Sequence, residues 1–250
     1  MSKKIQNEKR EGKEQDNYIP TKQWEFNQEV TDVFPNMLSR SIPGYDSMRE
    51  LVYRMARNFV KEGTNVLDIG CSTGISSELL IQNFGPKCNF VLTDVSKPMI
   101  EKCREKYARE IQEGYVNVKY SDLREKLPVK GCSLILSCLT IQFTPIEYRQ
   151  FIFKNIYESL EPGGALVLVE KVMGNSDDID QVLVKEYYDI KRDNQYTEEQ
   201  IKTKRRSLEG SLVPLTIKMN EQLLNVSGFH KVDTFWRYLN FVALIAIKER

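Results

Sequence analysis

N-V-L-D-I-G-C-S-T-G, from Asn65 to Gly74, is the stretch whose reading decides the fold. Val66, Leu67 and Ile69 form a short apolar run suited to a buried parallel strand. Gly70 and Gly74 punctuate a tight turn, and Ile75 to Asn83 returns to helical spacing. Strand, glycine turn and helix in that order make the first half of a nucleotide-binding βαβ unit. The next strand, Asn89 to Thr93, ends on Asp94, near the offset at which such units place a carboxylate for a ribose diol. Either feature alone is common. Together they specify a nucleoside site.

The chemistry of the turn narrows the nucleoside. A dinucleotide site uses G-x-G-x-x-G so that backbone can close on a pyrophosphate. Here Ser72 replaces the middle glycine, and Asp68 sets an acid beside the turn. That acid repels a phosphate and suits a ligand combining adenosine with a positive centre. S-adenosylmethionine fits this description better than NAD.

Composition sets outer limits. A chain of 250 residues makes one large domain, with or without an appendage, and can bury a substantial core. A net charge of +1 gives no global basic field, so direct nucleic-acid binding is not expected. Cys71, Cys88, Cys103, Cys132 and Cys138 show no C-x-x-C spacing, and with one histidine in the chain no metal site is expected. An odd number of unpaired cysteines suits a reducing compartment. No apolar run reaches about 18 residues, so no membrane span is expected, and a cytoplasmic location follows.

Outward from the motif, residues 1–23 read as a disordered charged tail and 24–250 as the nucleoside-binding domain. Phe26, Val30, Val33, Phe34, Met37 and Leu38 recur at helical spacing. Pro43-Gly44 marks a turn, Tyr45 either anchors it or covers the cofactor mouth, and a helix runs from Ser47 to Lys61. After Asp94, Ser96 caps a helix extending to about Gln112. Val116 to Tyr120 forms a third strand, followed by Asp122, placed to hold an adenine amino group. Ser133 to Leu139 forms a fourth, and Thr140 to Phe143 lie beyond its carboxyl end, where ligands sit in open α/β sheets. Tyr148 to Leu160 is helical and stops at Glu161-Pro162-Gly163-Gly164, and Ala165 to Glu170 is the fifth strand. Residues 176–211 read as a charged helical insertion, too long for an ordinary connection. A helix over Leu215 to Val226 precedes a hairpin of Lys231 to Tyr238 and Phe241 to Lys248. These elements predict a Rossmann-like α/β class I methyltransferase fold. Its seven-stranded sheet is mostly parallel, with the last strand antiparallel, a helical N-terminal segment and the insertion after strand five.

The chain also resembles a known family from about Trp24 to Lys248. W-E-F-N-Q-E-V-T-D-V-F-P-N-M-L-S-R-S-I-P-G-Y (Trp24 to Tyr45), D-I-G-C-S-T-G, T-I-Q-F (Thr140 to Phe143) and L-E-P-G-G-A-L-V-L-V-E-K are similar to the carboxy-S-adenosylmethionine synthases, as are T-K-R at Thr203 to Arg205 and N-F-x-x-L-I-A at Asn240 to Ala246. The resemblance implies a transferase that takes S-adenosylmethionine and prephenate, releases phenylpyruvate and leaves a carboxylate on the former sulfonium methyl. It further implies that the product serves wobble-uridine modification of transfer RNA and that the substrate supplies the base.

Position by position, the resemblance implies cofactor contacts at Tyr45, Gly70, Cys71, Ser72, Asp94 with Val95, Asp122 with Leu123, and Cys138. It implies that Arg205 receives the new carboxylate, as a guanidinium can through two parallel hydrogen bonds. Two positions depart from the family: Val95 and Cys138 each stand where it has asparagine. A methyltransferase for a small molecule and a non-catalytic cofactor-binding module remain alternatives. A homodimer, with Arg205 acting within its own subunit or in its neighbour's, is compatible with the sequence.

Overall fold

The computed structural model describes residues 16–250. In chain order the elements are α1 (Gln28–Ser41), α2 (Tyr45–Ala56), β1 (Asn65–Ile69), α3 (Glu78–Phe84), β2 (Asn89–Asp94), α4 (Lys97–Lys106), α5 (Ala108–Gln112) and β3 (Val116–Tyr120). Then come β4 (Cys132–Cys138), α6 (Ile146–Ser159), β5 (Leu160–Met173), α7 (Asp177–Asp193) and α8 (Glu198–Leu208). The chain closes with β6 (Leu215–Thr216), α9 (Ile217–Val226), β7 (Lys231–Tyr238) and β8 (Phe241–Ile247).

The strands lie in the order β3-β2-β1-β4-β5-β8-β7, with the two-residue β6 paired to β5 beside this path. All pairings from β3 to β5 are parallel; β8 runs antiparallel to both β5 and β7. This is the expected seven-stranded sheet with one short addition. The chain grows one way from β1 through β2 to β3, then returns to place β4 on the other side of β1. That reversal makes the crevice at the carboxyl ends of the strands in which such sheets bind ligands.

Alternation along the strands divides the core between the two faces. Val66, Phe90, Leu92, Leu134, Leu136 and Val167 pack on one side, and Leu67, Ile69, Val91, Ile135, Leu166 and Leu168 on the other. Both faces are covered by helices, so the central strands read as continuous apolar runs. A smaller cluster of Val30, Phe34, Met37 and Met99 ties α1 to α4.

Several boundaries differ from the sequence reading. The helix expected from Ser96 to Gln112 breaks at Tyr107, whose hydroxyl donates to the Gly74 carbonyl at 2.6 Å and so pins the glycine loop. β5 starts at Leu160 and runs through the Pro-Gly-Gly sequence, where its register against β4 shifts between Cys132 and Leu134. The expected tail lies outside the described residues over 1–15. Over 16–23 the structure differs from it: Asp16 is buried, its N–H donates to Asn36 Oδ1 at 2.9 Å, and its carboxylate meets Lys204 and the Tyr196 hydroxyl. A charged side chain enters the interior here because a lysine and a phenol await it.

Candidate cofactor and substrate cavity

The carboxyl ends of β1, β2, β3 and β4 open onto a cavity of about 590 Å³, inside the range of roughly 300–1,000 Å³ usual for small-molecule sites. Gly70 follows β1 with φ 69°. A Cβ at Gly70 would stand 2.2 Å from Thr140 Cγ2, so the loop after β1 approaches the end of β4 too closely for a side chain. Ser72 also takes a positive φ, 49°, uncommon for a residue other than glycine. Its N–H donates to Asp94 Oδ2 at 2.9 Å, and the Ser96 N–H donates to Asp94 Oδ1 at 2.8 Å. Asp94 therefore joins the glycine loop to the start of α4, and both oxygens keep acceptor capacity for a ribose diol. Burial raises its pKa despite these N–H donors.

The other predicted residues surround this centre. Tyr45 opens α2 behind Gly44, and burial pushes its phenol up. The Arg49 guanidinium lies 5.8 Å from the Tyr45 ring centre. Cys71, Val95, Leu123 and Cys138 line the same cavity. Burial pushes the Cys138 thiol up to about 12, leaving it neutral and a weak hydrogen-bonding group where an amide would be a strong one. Asp122 lines the wall but is engaged by Arg124, whose Nε donates to both carboxylate oxygens at 3.0 Å and holds the pKa below the usual range.

Two of the residues read from the sequence stand outside the cavity. Asp68 does not border the cavity; it is buried beneath the turn, where Ser77 Oγ donates to its Oδ2 at 2.7 Å. Burial pushes its carboxyl up to about 7, so the negative charge that argued against a phosphate is weaker than the bare sequence suggests. Arg205 is exposed on α8 and does not line the cavity; its neighbour Lys204 does. Arg205's charge still reaches Lys171 and Tyr188.

Thr140, Gln142 and Phe143, from the segment the sequence reading set at the ligand edge, line the cavity too, but that reading gave the inward-facing lysines no part in it. Lys171 from β5, Lys191 from α7 and Lys204 from α8 turn inward with Tyr187 and Gln142. Gln142 is held in place by accepting the Lys171 N–H at 2.7 Å through Oε1. Glu170 beneath it is buried near Arg149, with the N–H groups of Thr140, Ile141 and Gln142 directed at its carboxylate; burial prevails and pushes it up to about 8. Trp24, Phe26 and Phe143 line the cavity and meet edge to face, with ring centres 6.0 Å and 5.1 Å apart in turn. The signal for the lysines was faint. They sit among many charges in a segment whose composition suits a solvated face.

The arrangement suits S-adenosylmethionine: a loop whose Gly70 leaves no room for a Cβ, the half-buried Asp94 at the end of β2, and the apolar Val95 and Leu123 line one cavity. Comparison with known proteins agrees. A family model described as a methyltransferase domain matches residues 66–164. The carboxy-S-adenosyl-L-methionine synthase of Methylococcus capsulatus is 39% identical over 224 residues, covering 89% of this chain and 93% of that protein. The synthase of the same name from Erwinia tasmaniensis is 34% identical, covering 90% and 92%. Human N-acetylserotonin methyltransferase, solved in complex with S-adenosylmethionine, superposes with a TM-score of 0.61 at 13% identity, over 89% of this chain and 56% of that one, a likeness of fold. By fold, cavity and likeness along nearly its whole length, this chain belongs to the carboxy-S-adenosyl-L-methionine synthase family of the class I methyltransferase fold.

Proposed function

We propose that the protein converts S-adenosylmethionine and prephenate to carboxy-S-adenosylmethionine and phenylpyruvate. The observation that carries this reading is convergence: nine of the ten residues implicated from sequence line one cavity, Arg205 being the exception. The reaction balances without a protein base. Prephenate loses carbon dioxide and hydroxide to become phenylpyruvate, the hydroxide leaves as water with the methyl proton, and the carbon dioxide is captured at the methyl carbon.

In this reading Asp94 holds the ribose, Tyr45 and Leu123 flank the bound nucleoside, and the aromatic lining excludes water from the reacting groups. Arg205 is assigned the new carboxylate, its guanidinium brought in from the exposed face of α8 or supplied by a second copy of a homodimer. The product is expected to feed wobble-uridine modification of transfer RNA in the cytoplasm, with no direct RNA contact by this chain.

Cys138 favours one competing reading, a methyltransferase for a small molecule, because a neutral thiol replaces the family's amide at the end of β4. Incubating purified protein with S-adenosylmethionine, with and without prephenate, and weighing the nucleosides separates the two. The synthase reading requires a prephenate-dependent nucleoside heavier than S-adenosylmethionine by one carbon dioxide. A nucleoside pool unchanged by prephenate, with S-adenosylhomocysteine appearing once a methyl acceptor is present, replaces it with the methyltransferase.

A further inference from the structure

Among the described residues, two ammonium groups in the cavity have no counter-charge in contact. Lys171 Nζ lies 4.6 Å from the centre of the Tyr187 ring, and Lys191 Nζ lies 5.0 Å from the same centre and 5.4 Å from that of Tyr196. Among the described residues neither ammonium makes a hydrogen bond or ion pair, although Lys191 is only 6% exposed. The third lysine, Lys204, is engaged by Asp16. The charges around the pair are few. Asp16, Lys204 and Arg40 stand on the Lys191 side, Asp180 and Arg205 on the Lys171 side. Asp180 is occupied by the Gly174 N–H at 2.7 Å. Tyr187 and Tyr196 stay neutral because burial pushes both phenols up.

An ammonium withdrawn from water without a partner is unfavourable, and a protein that keeps one buried at Lys191 and one half-buried at Lys171 on the same cavity wall has a use for an anion there. The wall between is apolar: the Tyr187 and Phe241 rings lie 5.5 Å apart, and both line the cavity. We infer that Lys171 and Lys191 form a subsite for a small dicarboxylate carrying an apolar ring, whose ring lies against Tyr187 and Phe241 while the two ammonium groups supply the counter-charge. The inference rests on the synthase reading for its natural ligand, since prephenate is a ring dicarboxylate, but the subsite is defined by its own residues. Burial holds Lys191 down at about 8, so a bound dianion draws a proton onto it above that pH.

The test is calorimetric titration of full-length protein, saturated with S-adenosylhomocysteine, with prephenate, with the inert ring dicarboxylate homophthalate, and with the monocarboxylate phenylacetate. Both dicarboxylates are expected to bind more tightly than phenylacetate by about tenfold or more. Lys171→Gln and Lys191→Gln are each expected to weaken the dicarboxylates by about tenfold while shifting S-adenosylhomocysteine affinity by less than about threefold. Titrations at pH 8.5 in buffers of different ionisation heat should show proton uptake that Lys191→Gln abolishes and Lys191→Arg does not restore. A misfolded variant shows itself by losing S-adenosylhomocysteine binding, and the wild-type preference for dicarboxylates and its proton uptake then decide alone. Wild-type protein that binds no dicarboxylate, or lysine variants that bind as wild type does, overturn the subsite. Lysine-dependent dicarboxylate binding in a protein that makes no carboxylated nucleoside keeps the subsite and removes the synthase reading.

Discussion

Asp94 accepts N–H bonds from Ser72 and Ser96 while facing the cavity, so one side chain both shapes the glycine loop and presents an acceptor. Asp94→Ala is expected to weaken S-adenosylmethionine binding by about 1.5–3 kcal/mol, the range for hydrogen bonds to a charged group. Asp94→Asn, which retains one acceptor oxygen, should lose less. Unchanged affinity of the alanine variant by calorimetry removes Asp94 from the site. Arg205 presents the opposite situation, being exposed and outside the cavity. If it receives the product carboxylate, Arg205→Ala abolishes the carboxylated product and leaves S-adenosylmethionine binding within a few fold. Arg205→Lys should recover only part, because an ammonium lacks the two-pronged geometry of a guanidinium. An alanine variant that still forms product at the wild-type rate takes the role away from Arg205.

Among the elements, α8 and the segment before α1 depend on each other. Lys204 is 3% exposed and pairs with Asp16, which lies 188 residues earlier in the chain. Removing one partner of a buried ion pair strands the other, so Asp16→Ala should destabilise the fold by about 3–5 kcal/mol in urea denaturation. The double variant Asp16→Ala/Lys204→Met should be closer to wild type than the single one. A single variant as stable as wild type contradicts the pairing. At the end of β5, Glu170 titrates at about 8, against 4.5 for an unperturbed glutamate. The folded state thus holds a proton that the unfolded chain has released. The stability contributed is fully present below about pH 4.5 and is lost as the pH rises through 8. Glu170→Gln should flatten the decline of the urea midpoint between about pH 5 and 8; an unchanged slope rules out Glu170 as its source.

Over the whole molecule, the legible features were those written locally. Val66, Leu67 and Ile69 announce a buried strand, Gly70 and Gly74 a tight turn, and Asp94 the next strand's end, all within one βαβ unit. The alternation of strands and helices and the short hairpin connection at Leu239-Asn240 announce a mostly parallel sheet with an antiparallel last strand, while the order of the strands is set by packing. What stayed hidden depends on contacts between distant segments. Nothing near Asp16 in the chain foretells Lys204 or Tyr196, and nothing near Lys191 distinguishes it from the solvated lysines of the same insertion. Asp68 was visible as an acid, but its burial beneath the turn was not. Cavity, lysine wall and family membership together make one central claim, that a carboxylate passes from a ring dicarboxylate to the methyl carbon of S-adenosylmethionine. Its most direct test is incubation of the protein with S-adenosylmethionine and prephenate labelled with carbon-13 in the ring carboxylate, followed by mass spectrometry of the nucleosides. The account predicts one labelled carbon in a carboxylated nucleoside, together with unlabelled phenylpyruvate. A nucleoside carrying no label, or label found only in dissolved carbon dioxide, contradicts it.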